Sequence, residues 1–351
     1  MAYTTIDDPT AFFQTVTYTG NGATGRSITL PSDTDMQPDW VWLKSRGEAE
    51  HHQLTDSVRG VNKQLYSHLS YGEASETDRI TAFNSDGFTI EDDIIVNKNT
   101  IEFVAWCWKA GTSFSNDASS TSVGSIDSAG SVNDTAGFSI VSFVGTQSNG
   151  TIKHGLSSAP SMIILKSRDS SSHWLTGWTA LGWTHAIKLN LTSAKETTHY
   201  YFNDTAPTSS VFSVGAGTES NKSGDDMIAY CFAEKKGYSK FGSYTGNGNA
   251  NGTFLYTGFK PAWVMIKYTD SASDWYIYNN KINPFNVMSK VFAPNIANAE
   301  ITTSRLMDFT SNGFKNRGSG ATTNASGGNY IYMAFAENPF VTSTGVPATA
   351  R

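Results

Sequence analysis

Apolar and polar positions along this chain follow the same order three times. Each unit opens on a strand of mixed polarity, continues with an apolar strand that follows a proline and ends in lysine, and closes on an aromatic strand. A strand that is apolar on both faces must be covered on both. The pattern therefore predicts an all-β protein of three tandem antiparallel β-sandwich repeats. The proline-led strands are residues 38–44, 160–166 and 261–267, and the closing strands are residues 103–108, 227–232 and 330–335.

The spacing of these strands predicts where the repeats begin and end. Repeats one and two are separated by about twenty more residues than repeats two and three, and the Ser/Gly/Asp-rich segment 111–136 accounts for them. We interpret that segment as a linker, partly extended along a neighbour. The terminal segments either fray or latch onto a neighbouring subunit. The predicted division is an N-terminal arm at 1–11, repeat one at 12–110, the linker at 111–136, repeat two at 137–236, repeat three at 237–337, and a C-terminal tail at 338–351.

Two further local patterns predict hairpins and a core. Phe83 and Phe88 flank an Asp-Gly pair, and Phe309 and Phe314 flank an Asn-Gly pair. Both pairs are strong turn signals between strands, so each aromatic pair predicts a hairpin. The apolar strands predict burial of Trp40, Trp42, Trp106, Val141, Phe143, Ile164, Tyr230, Trp263, Ile266 and Met333.

The charge, hydropathy and cysteine content of the chain argue against several classes of partner and against disulfide bonds. The net charge of -6 and the absence of a basic run argue against nucleic acid. No run of 18 apolar residues occurs, and the N-terminus lacks a basic, then apolar leader, so we expect a soluble protein with no membrane insertion. Cys107 and Cys231 occupy equivalent strand positions of two repeats, which predicts two free thiols.

The motifs that could carry chemistry are weak. Gly20 to Gly25 matches a dinucleotide-binding fingerprint, but no helix follows it, so we interpret it as a hairpin turn that uses Asn-Gly, and we expect no cofactor. Adjacent His51 and His52 point to opposite faces of an extended segment, so with Asp56 they predict no metal site. The acid doublets 92–93 and 225–226 leave bound Ca²⁺ open. Neither a nucleophile elbow nor a convincing carboxylate pair appears, so we predict no catalytic residue and no enzyme.

Aromatic residues are dense in the polar middles of repeats two and three. One interpretation places them in the core of a second sheet. The other places some of them in an exposed groove, where sugar rings stack on aromatic faces and Asn or Asp binds the hydroxyls. The residues of this speculative glycan site are Trp174, Trp178, Trp275, Tyr276 and Tyr278.

Several of these motifs together resemble a family of repeated virion proteins of tailed bacteriophages that infect marine and cyanobacterial hosts. The similarity extends over almost the whole chain. It implies concanavalin A-like, SPRY-like or jelly-roll sandwiches, and it supplies no catalytic residue. The motifs are Tyr-Thr-Gly-Asn-Gly at 18–22 and 244–248, and the segments 37–46, 56–60, 83–88, 103–110, 229–248 and 330–340.

The resemblance implies a virion structural protein, made in the host cytoplasm. The favoured hypothesis is a tail fibre or receptor-binding adhesin that displays sandwich loops to host-surface polysaccharide. The alternative is a capsid decoration protein or head fibre attached to the shell, and a glycan-degrading enzyme is the least favoured class. We expect other virion proteins as partners and a homo-oligomer, with a trimer as the leading form because fibres use cyclic symmetry.

Overall fold

A computed structural model describes residues 2–347 of the chain. Strands contain 44% of the residues and helices 8%, and every pairing between the named strands is antiparallel, so the predicted all-β class is confirmed. We number the strands β1 to β27 and the helices α1 to α5 in chain order.

Repeat one contains a six-stranded sheet in the order β1-β9-β3-β4-β5-β6 and a three-stranded sheet in the order β2-β8-β7. Phe83 pairs with Phe88 across β7 and β8, as the hairpin prediction requires. The elements are a 3₁₀ turn Pro9–Ala11, β1 Phe13–Thr19, β2 Arg26–Thr29, β3 Trp40–Ser45, β4 Gln53–Asp56, β5 Lys63–Tyr66, β6 Ala74–Ser75, β7 Ile80–Asn84, β8 Gly87–Ile90, α1 Ile94–Asn97 and β9 Glu102–Trp108.

Repeat two contains an eight-stranded sheet in the order β10-β11-β12-β19-β14-β15-β16-β17 and a two-stranded sheet of β13 and β18. The elements are β10 Thr112–Asn116, α2 Ala118–Thr121, β11 Ser128–Asn133, β12 Phe138–Val144, β13 Gly150–Lys153, β14 Met162–Ser167, β15 Leu175–Trp178, a 3₁₀ turn Thr179–Leu181, β16 His185–Lys188, β17 Glu196–Thr197, α3 His199–Phe202, β18 Val211–Val214, α4 Thr218–Asn221 and β19 Asp226–Phe232.

Repeat three contains two four-stranded sheets, in the orders β20-β27-β22-β23 and β21-β26-β25-β24. Phe309 pairs with Phe314 across β25 and β26, which confirms the second hairpin. The elements are β20 Ser239–Thr245, β21 Phe254–Tyr256, β22 Phe259–Tyr268, β23 Trp275–Asn279, β24 Met288–Val291, β25 Ile301–Thr310, β26 Gly313–Asn316, α5 Ala321–Asn324 and β27 Asn329–Pro339.

The same four-strand order, β1-β9-β3-β4, recurs as β12-β19-β14-β15 and as β20-β27-β22-β23. We call the sheet with this four-strand order the large sheet of its repeat and the other sheet the small sheet. In each repeat one face of the large sheet packs against the small sheet, and the apolar residues between them form a separate core cluster. Strands β3 and β14 are buried at every position, as are the equivalent residues Trp263 to Lys267 of β22. This explains the apolar runs in the sequence, since both faces of these strands are covered.

The second face of each large sheet packs into one central core that all three repeats share. Trp40 stacks on Tyr230 with ring centroids 4.4 Å apart, which joins repeats one and two. Trp108 lies edge-on to Trp263 at 5.9 Å and joins repeats one and three. All ten residues predicted to be buried are buried, with at most 3% of any of them exposed.

Equivalent side chains also bridge each repeat to another in cyclic order. Trp174 of repeat two donates its indole N–H to Tyr66 O of repeat one at 2.9 Å. Trp275 of repeat three donates to Lys188 O of repeat two at 3.2 Å. His52 of repeat one lies 3.1 Å, through Nε2, from Ala293 O of repeat three. The three repeats therefore close a ring around the central core.

The linker prediction at 111–136 is wrong. This segment forms β10, α2 and β11, and β11 pairs with β12 along its whole length. Small residues allow the hairpin to pack closely: a Cβ on Gly130 would lie 2.0 Å from Ile140 O. Serine-rich strands lack apolar alternation, so composition alone does not distinguish them from a flexible linker.

The terminal segments, within residues 2–347, pack against their own chain. Ile6 is buried in the central core, and Thr4 Oγ1 donates to Lys236 O at 2.8 Å. Asp7 accepts a hydrogen bond from Ser343 N at 2.6 Å, which ties the two ends together. Strand β27 extends to Pro339, so the predicted tail at 338–351 begins inside a strand, and residues 348–351 lie outside the described part.

Candidate functional site

The predicted glycan-binding groove is not present at the aromatic residues of repeats two and three. Trp174, Trp178 and Trp275 have no exposed surface and belong to the central core. Trp178 and Trp275 pack against each other at 6.5 Å between ring centroids. This prediction is wrong because the faces of these rings that would bind sugars contact the other repeats instead.

Tyr276 and Tyr278 lie on the opposite face of β23, inside the sandwich of repeat three. Tyr278 has no exposed surface and donates its hydroxyl to Arg305 O at 2.7 Å. The guanidinium of Arg305 lies over the Tyr276 ring at 4.6 Å, and burial raises the pKa of Tyr276 to about 12. Neither tyrosine presents a face to a ligand, so the glycan assignment is wrong here as well.

The glycine fingerprint is a turn, and a buried asparagine holds it in place. Asn97 Oδ1 accepts from Asn21 N at 3.0 Å, and its backbone carbonyl accepts from Gly22 N at 2.8 Å. Gly22 has φ +67°, which favours glycine. The turn connects β1 and β2, which belong to different sheets, so it is a crossover and not a hairpin.

The other two repeats hold the equivalent loops with Asn221 and Asn324. Both side chains are fully buried, as is that of Asn97. Because the amide hydrogens of these loops bind protein oxygens in all three repeats, the loops are framework elements and not phosphate cradles.

Of the two adjacent histidines in repeat one, His52 is buried and His51 is partly exposed. His52 is fully buried, accepts from Trp42 Nε1 at 3.0 Å, and has its pKa held well below 6.5 by burial. His51 Nδ1 lies 2.9 Å from His68 Nε2. Within residues 2–347, no group of three His, Cys, Asp or Glu side chains could hold a metal ion. His51 and His52 lie in the connection between β3 and β4, two strands that pair with each other.

The acid doublets mainly bind protein groups. Asp93 accepts from Ile95 N at 2.7 Å at the start of α1 and pairs with Arg79 at 3.1 Å. Asp225 accepts from Ser167 Oγ at 2.7 Å and pairs with Lys222 at 3.3 Å. Hydrogen bonds and ion pairs of this kind satisfy these carboxylates with groups of the protein itself. Both cysteines are buried free thiols, as predicted.

The lysine that ends each proline-led strand is also internal. Lys44, Lys166 and Lys267 have no exposed surface, and burial lowers the pKa of each to about 8. Each ammonium group donates to backbone carbonyls of the loop that follows, as Lys44 does to Glu48 O at 3.1 Å. Recurrence in all three repeats indicates a structural role for these lysines.

A cavity lies in repeat three, beside the loop between β23 and β24. Its volume is about 520 Å³, which is within the usual range of small-ligand sites. Phe285 stands at its edge with 82% of its surface exposed. The lining residues are Lys260, Pro261, Asn280, Lys281, Asn283, Pro284, Phe285, Asn286, Met288, Phe309 and Glu337.

Asparagine side chains hold the loop that carries Phe285. Asn283 Oδ1 accepts from Ser289 N at 3.1 Å, and its Nδ2 donates to Lys290 O at 2.8 Å. Asn286 exchanges two hydrogen bonds with the backbone of Phe309, at 2.7 and 2.9 Å. The exposed ring is therefore held by a hydrogen-bonded loop, and little loop ordering is left to occur on binding.

Polar groups converge on the wall of the cavity. Lys260 Nζ and Glu337 Oε2 form an ion pair at 2.5 Å. The side-chain oxygen of Asn280 is buried and has no hydrogen-bond partner among residues 2–347. Asn280 as a residue is only partly buried and lines the cavity beside this pair. We call the cavity bounded by Phe285, Asn280 and the Lys260–Glu337 pair the Phe285 cleft.

The residues of the Phe285 cleft were not predicted from the sequence. The available signal was the segment Asn-Asn-Lys-Ile-Asn-Pro-Phe-Asn at 279–286, in which a single aromatic residue stands among turn-forming residues. Pro284 and Asn286, on the two sides of Phe285, favour a turn at the surface. The high density of aromatic residues led us instead to residues 174–178 and 275–278, whose aromatic side chains are buried in the core.

Comparison with known proteins identifies the family. The model of a family described as a domain of unknown function, DUF7483, matches residues 8–339, and the chain belongs to this family. No curated protein matches the chain. None of the helices in residues 2–347 is long and apolar enough to cross a membrane.

Proposed function

We propose that this DUF7483 protein is a virion structural protein, a tail fibre or receptor-binding adhesin, that binds host-surface glycan in the Phe285 cleft. The virion assignment rests on the phage-protein resemblance of the sequence motifs. The glycan assignment rests chiefly on the single observation of an exposed phenylalanine, on a hydrogen-bonded loop, beside a polar cavity of about 520 Å³.

The chemistry of the cleft suits a sugar. The exposed face of Phe285 can stack on the C–H face of a pyranose ring. Asn280 and Glu337 line the cavity, and amide and carboxylate side chains can hydrogen-bond to sugar hydroxyls. Lys281, which is exposed at the cleft, donates to sugar oxygens. One ring face combined with donors and acceptors is a complete set of contacts for a hydroxyl-rich ligand.

Binding at one such open site is weak, so attachment to a cell requires several sites. A homotrimer presents three Phe285 clefts to one surface, and linked sites raise apparent affinity by roughly 10² to 10⁴. The trimer is part of the proposal. Light scattering of the protein at micromolar concentration tests it, and a monomer at that concentration counts against it.

Adsorption of the purified protein to host cells and to their isolated surface polysaccharide tests the proposed function. Phe285→Ala should lower adsorption about tenfold, the order expected for loss of one binding hot spot. Phe285→Tyr keeps the ring and should adsorb like the wild type. Tyr71, another exposed aromatic residue, lies in repeat one outside the cleft, so Tyr71→Ala is the matched control.

Thermal melting checks that each variant is folded. Phe285 is exposed, so its removal should change the free energy of unfolding by less than about 0.5 kcal/mol. Equal adsorption by wild type and a folded Phe285→Ala variant would contradict glycan binding in this cleft. Location of the protein on the shell of intact particles would favour the capsid-decoration alternative over the adhesin.

A further inference from the structure

A second cavity continues the Phe285 cleft. It has a volume of about 250 Å³ and shares Asn280, Lys281 and Glu337 with the first cavity. The two cavities are therefore neighbours on either side of these three residues. The combined cleft is therefore longer than the part that lies next to Phe285.

The second cavity lies on the seam between repeats one and three. Repeat one contributes Phe13 and Ser32, and repeat three contributes Ala336 and Asn338. A ligand that fills the whole cleft would thus contact two repeats.

The seam is a fixed surface. Asn279, which is fully buried, donates from Nδ2 to Thr15 Oγ1 at 2.9 Å across the two repeats. Phe13 stacks on Phe335 with ring centroids 5.0 Å apart. Phe13 and Thr15 themselves line the second cavity, so both contacts hold residues of its wall in place. The cleft therefore exists before a ligand binds, and its length is set by the central core.

The charges along the cleft limit the kind of chain that fits. Its charged side chains are Lys260, Lys281 and Glu337, and Lys260 is already paired with Glu337. The remaining polar groups of the second cavity are hydroxyls and amides, including Ser32 and Asn338. A densely sulfated or phosphorylated chain would need more cations than this, because each anionic group requires its own counter-charge. The cleft matches a neutral, hydroxyl-rich chain.

We infer that the Phe285 cleft binds an internal segment of a linear, neutral polysaccharide, which runs from Phe285 across Asn280 to Ser32 on the seam of repeats three and one. This inference rests on the proposed function. It adds that the ligand is a chain of several sugar units and not a single terminal sugar.

Isothermal titration calorimetry with oligosaccharides of graded length tests the inference. The oligosaccharides, of about two to eight units, are prepared by partial hydrolysis of the polysaccharide used in the adsorption assay. Affinity should rise by about tenfold between the shortest chains and those that fill both cavities, and then level off. A single-sugar site would instead give the same affinity at every length.

A blocking variant tests the second cavity separately. Asn338 is exposed and lines only that cavity, so Asn338→Trp should lower the affinity of long chains to that of short ones and leave short chains unaffected. Ser32→Trp, at the far end, should act in the same way. Asn149→Trp, on an exposed loop of repeat two, is the matched control.

The outcomes separate the two proposals. If Phe285→Ala abolishes binding but length and Asn338→Trp have no effect, the extended-chain inference is overturned and the glycan-binding function stands. If no oligosaccharide binds the wild type at any length, both are contradicted. Loss of long-chain affinity in Asn338→Trp, with the melting temperature unchanged, supports the inference.

Discussion

The central core and the Phe285 cleft use similar side chains for opposite purposes. In the core, Trp174 has no exposed surface and its indole N–H binds a carbonyl of another repeat. In the cleft, Phe285 is 82% exposed, and the Asn280 oxygen has no partner among residues 2–347. The segments dense in aromatic residues therefore belong to the core. The candidate binding site is instead marked by a single aromatic residue in a segment rich in turn-forming residues.

The largest expected effect comes from the core. Trp263 has no exposed surface and contacts Trp106, Trp108 and Phe335 of the central core. Trp263→Ala should lower the free energy of unfolding by about 3 to 5 kcal/mol, because it removes buried contacts and leaves a cavity. Chemical denaturation followed by fluorescence measures this. A loss below about 1 kcal/mol would show that the core is not shared as described.

The buried histidines make the framework sensitive to acid. His154 is fully buried, and burial lowers its pKa to about 4 from 6.5. Below pH 6.5 the unfolded chain takes up a proton that folded His154 does not take up until pH 4. Stability is therefore lost as pH falls from 6.5 to 4, and by linkage this site contributes about 3 kcal/mol of the loss.

Melting curves between pH 4 and pH 7 test this prediction. His154→Gln should be less stable at pH 7 but should show a shallower decline below pH 6.5. Exposed His199→Gln is the control and should keep the slope of the wild type, since its ring is exposed to solvent in the folded chain as well. An unchanged slope in His154→Gln would contradict the assignment of a neutral, buried imidazole.

Two tryptophans separate hydrogen bonding from packing at the repeat interfaces. Trp174 Nε1 donates to Tyr66 O and Leu69 O, whereas Trp178 Nε1 has no partner among residues 2–347. Both positions are fully buried, so a Trp→Phe change removes a similar volume from each. Trp174→Phe should cost about 1 to 3 kcal/mol more than Trp178→Phe, because it removes two hydrogen bonds to backbone carbonyls of repeat one. Equal losses would mean that the inter-repeat hydrogen bond contributes nothing to stability.

Much of the framework was predictable from the sequence, and the reasons are local. The apolar runs at Trp40 and Trp263 correctly indicated strands covered on both faces, and the aromatic pairs around Asp-Gly and Asn-Gly correctly indicated hairpins. Short-range patterns of this kind depend on the residues themselves.

Features that depend on packing between repeats were not predictable in this way. The second covering face of β3 is the central core, and the sequence does not state that the large sheets of different repeats meet there. For the same reason the sequence led us to predict Trp178 in a groove, although it lies in the central core. The linker prediction for residues 111–136 was wrong for another reason. The Ser- and Gly-rich strands of this segment lack the apolar alternation by which strands are recognised.

The cleft depends on contacts between distant segments. Asn280 and Glu337 are 57 residues apart, and Ser32 lies in another repeat, so their convergence becomes visible only once the three repeats are packed. The part of the site that sequence could have indicated is the exposed turn that carries Phe285.

Hydrogen–deuterium exchange of the protein with and without its bound oligosaccharide tests the central claim most directly, because it maps the ligand onto the chain. If the ligand binds in the Phe285 cleft, we expect slower amide exchange at residues 280–287 and 337–338 and no change at residues 174–178 or 275–278. Protection confined to the latter two segments, or none at residues 280–287 under saturating ligand, would contradict the account.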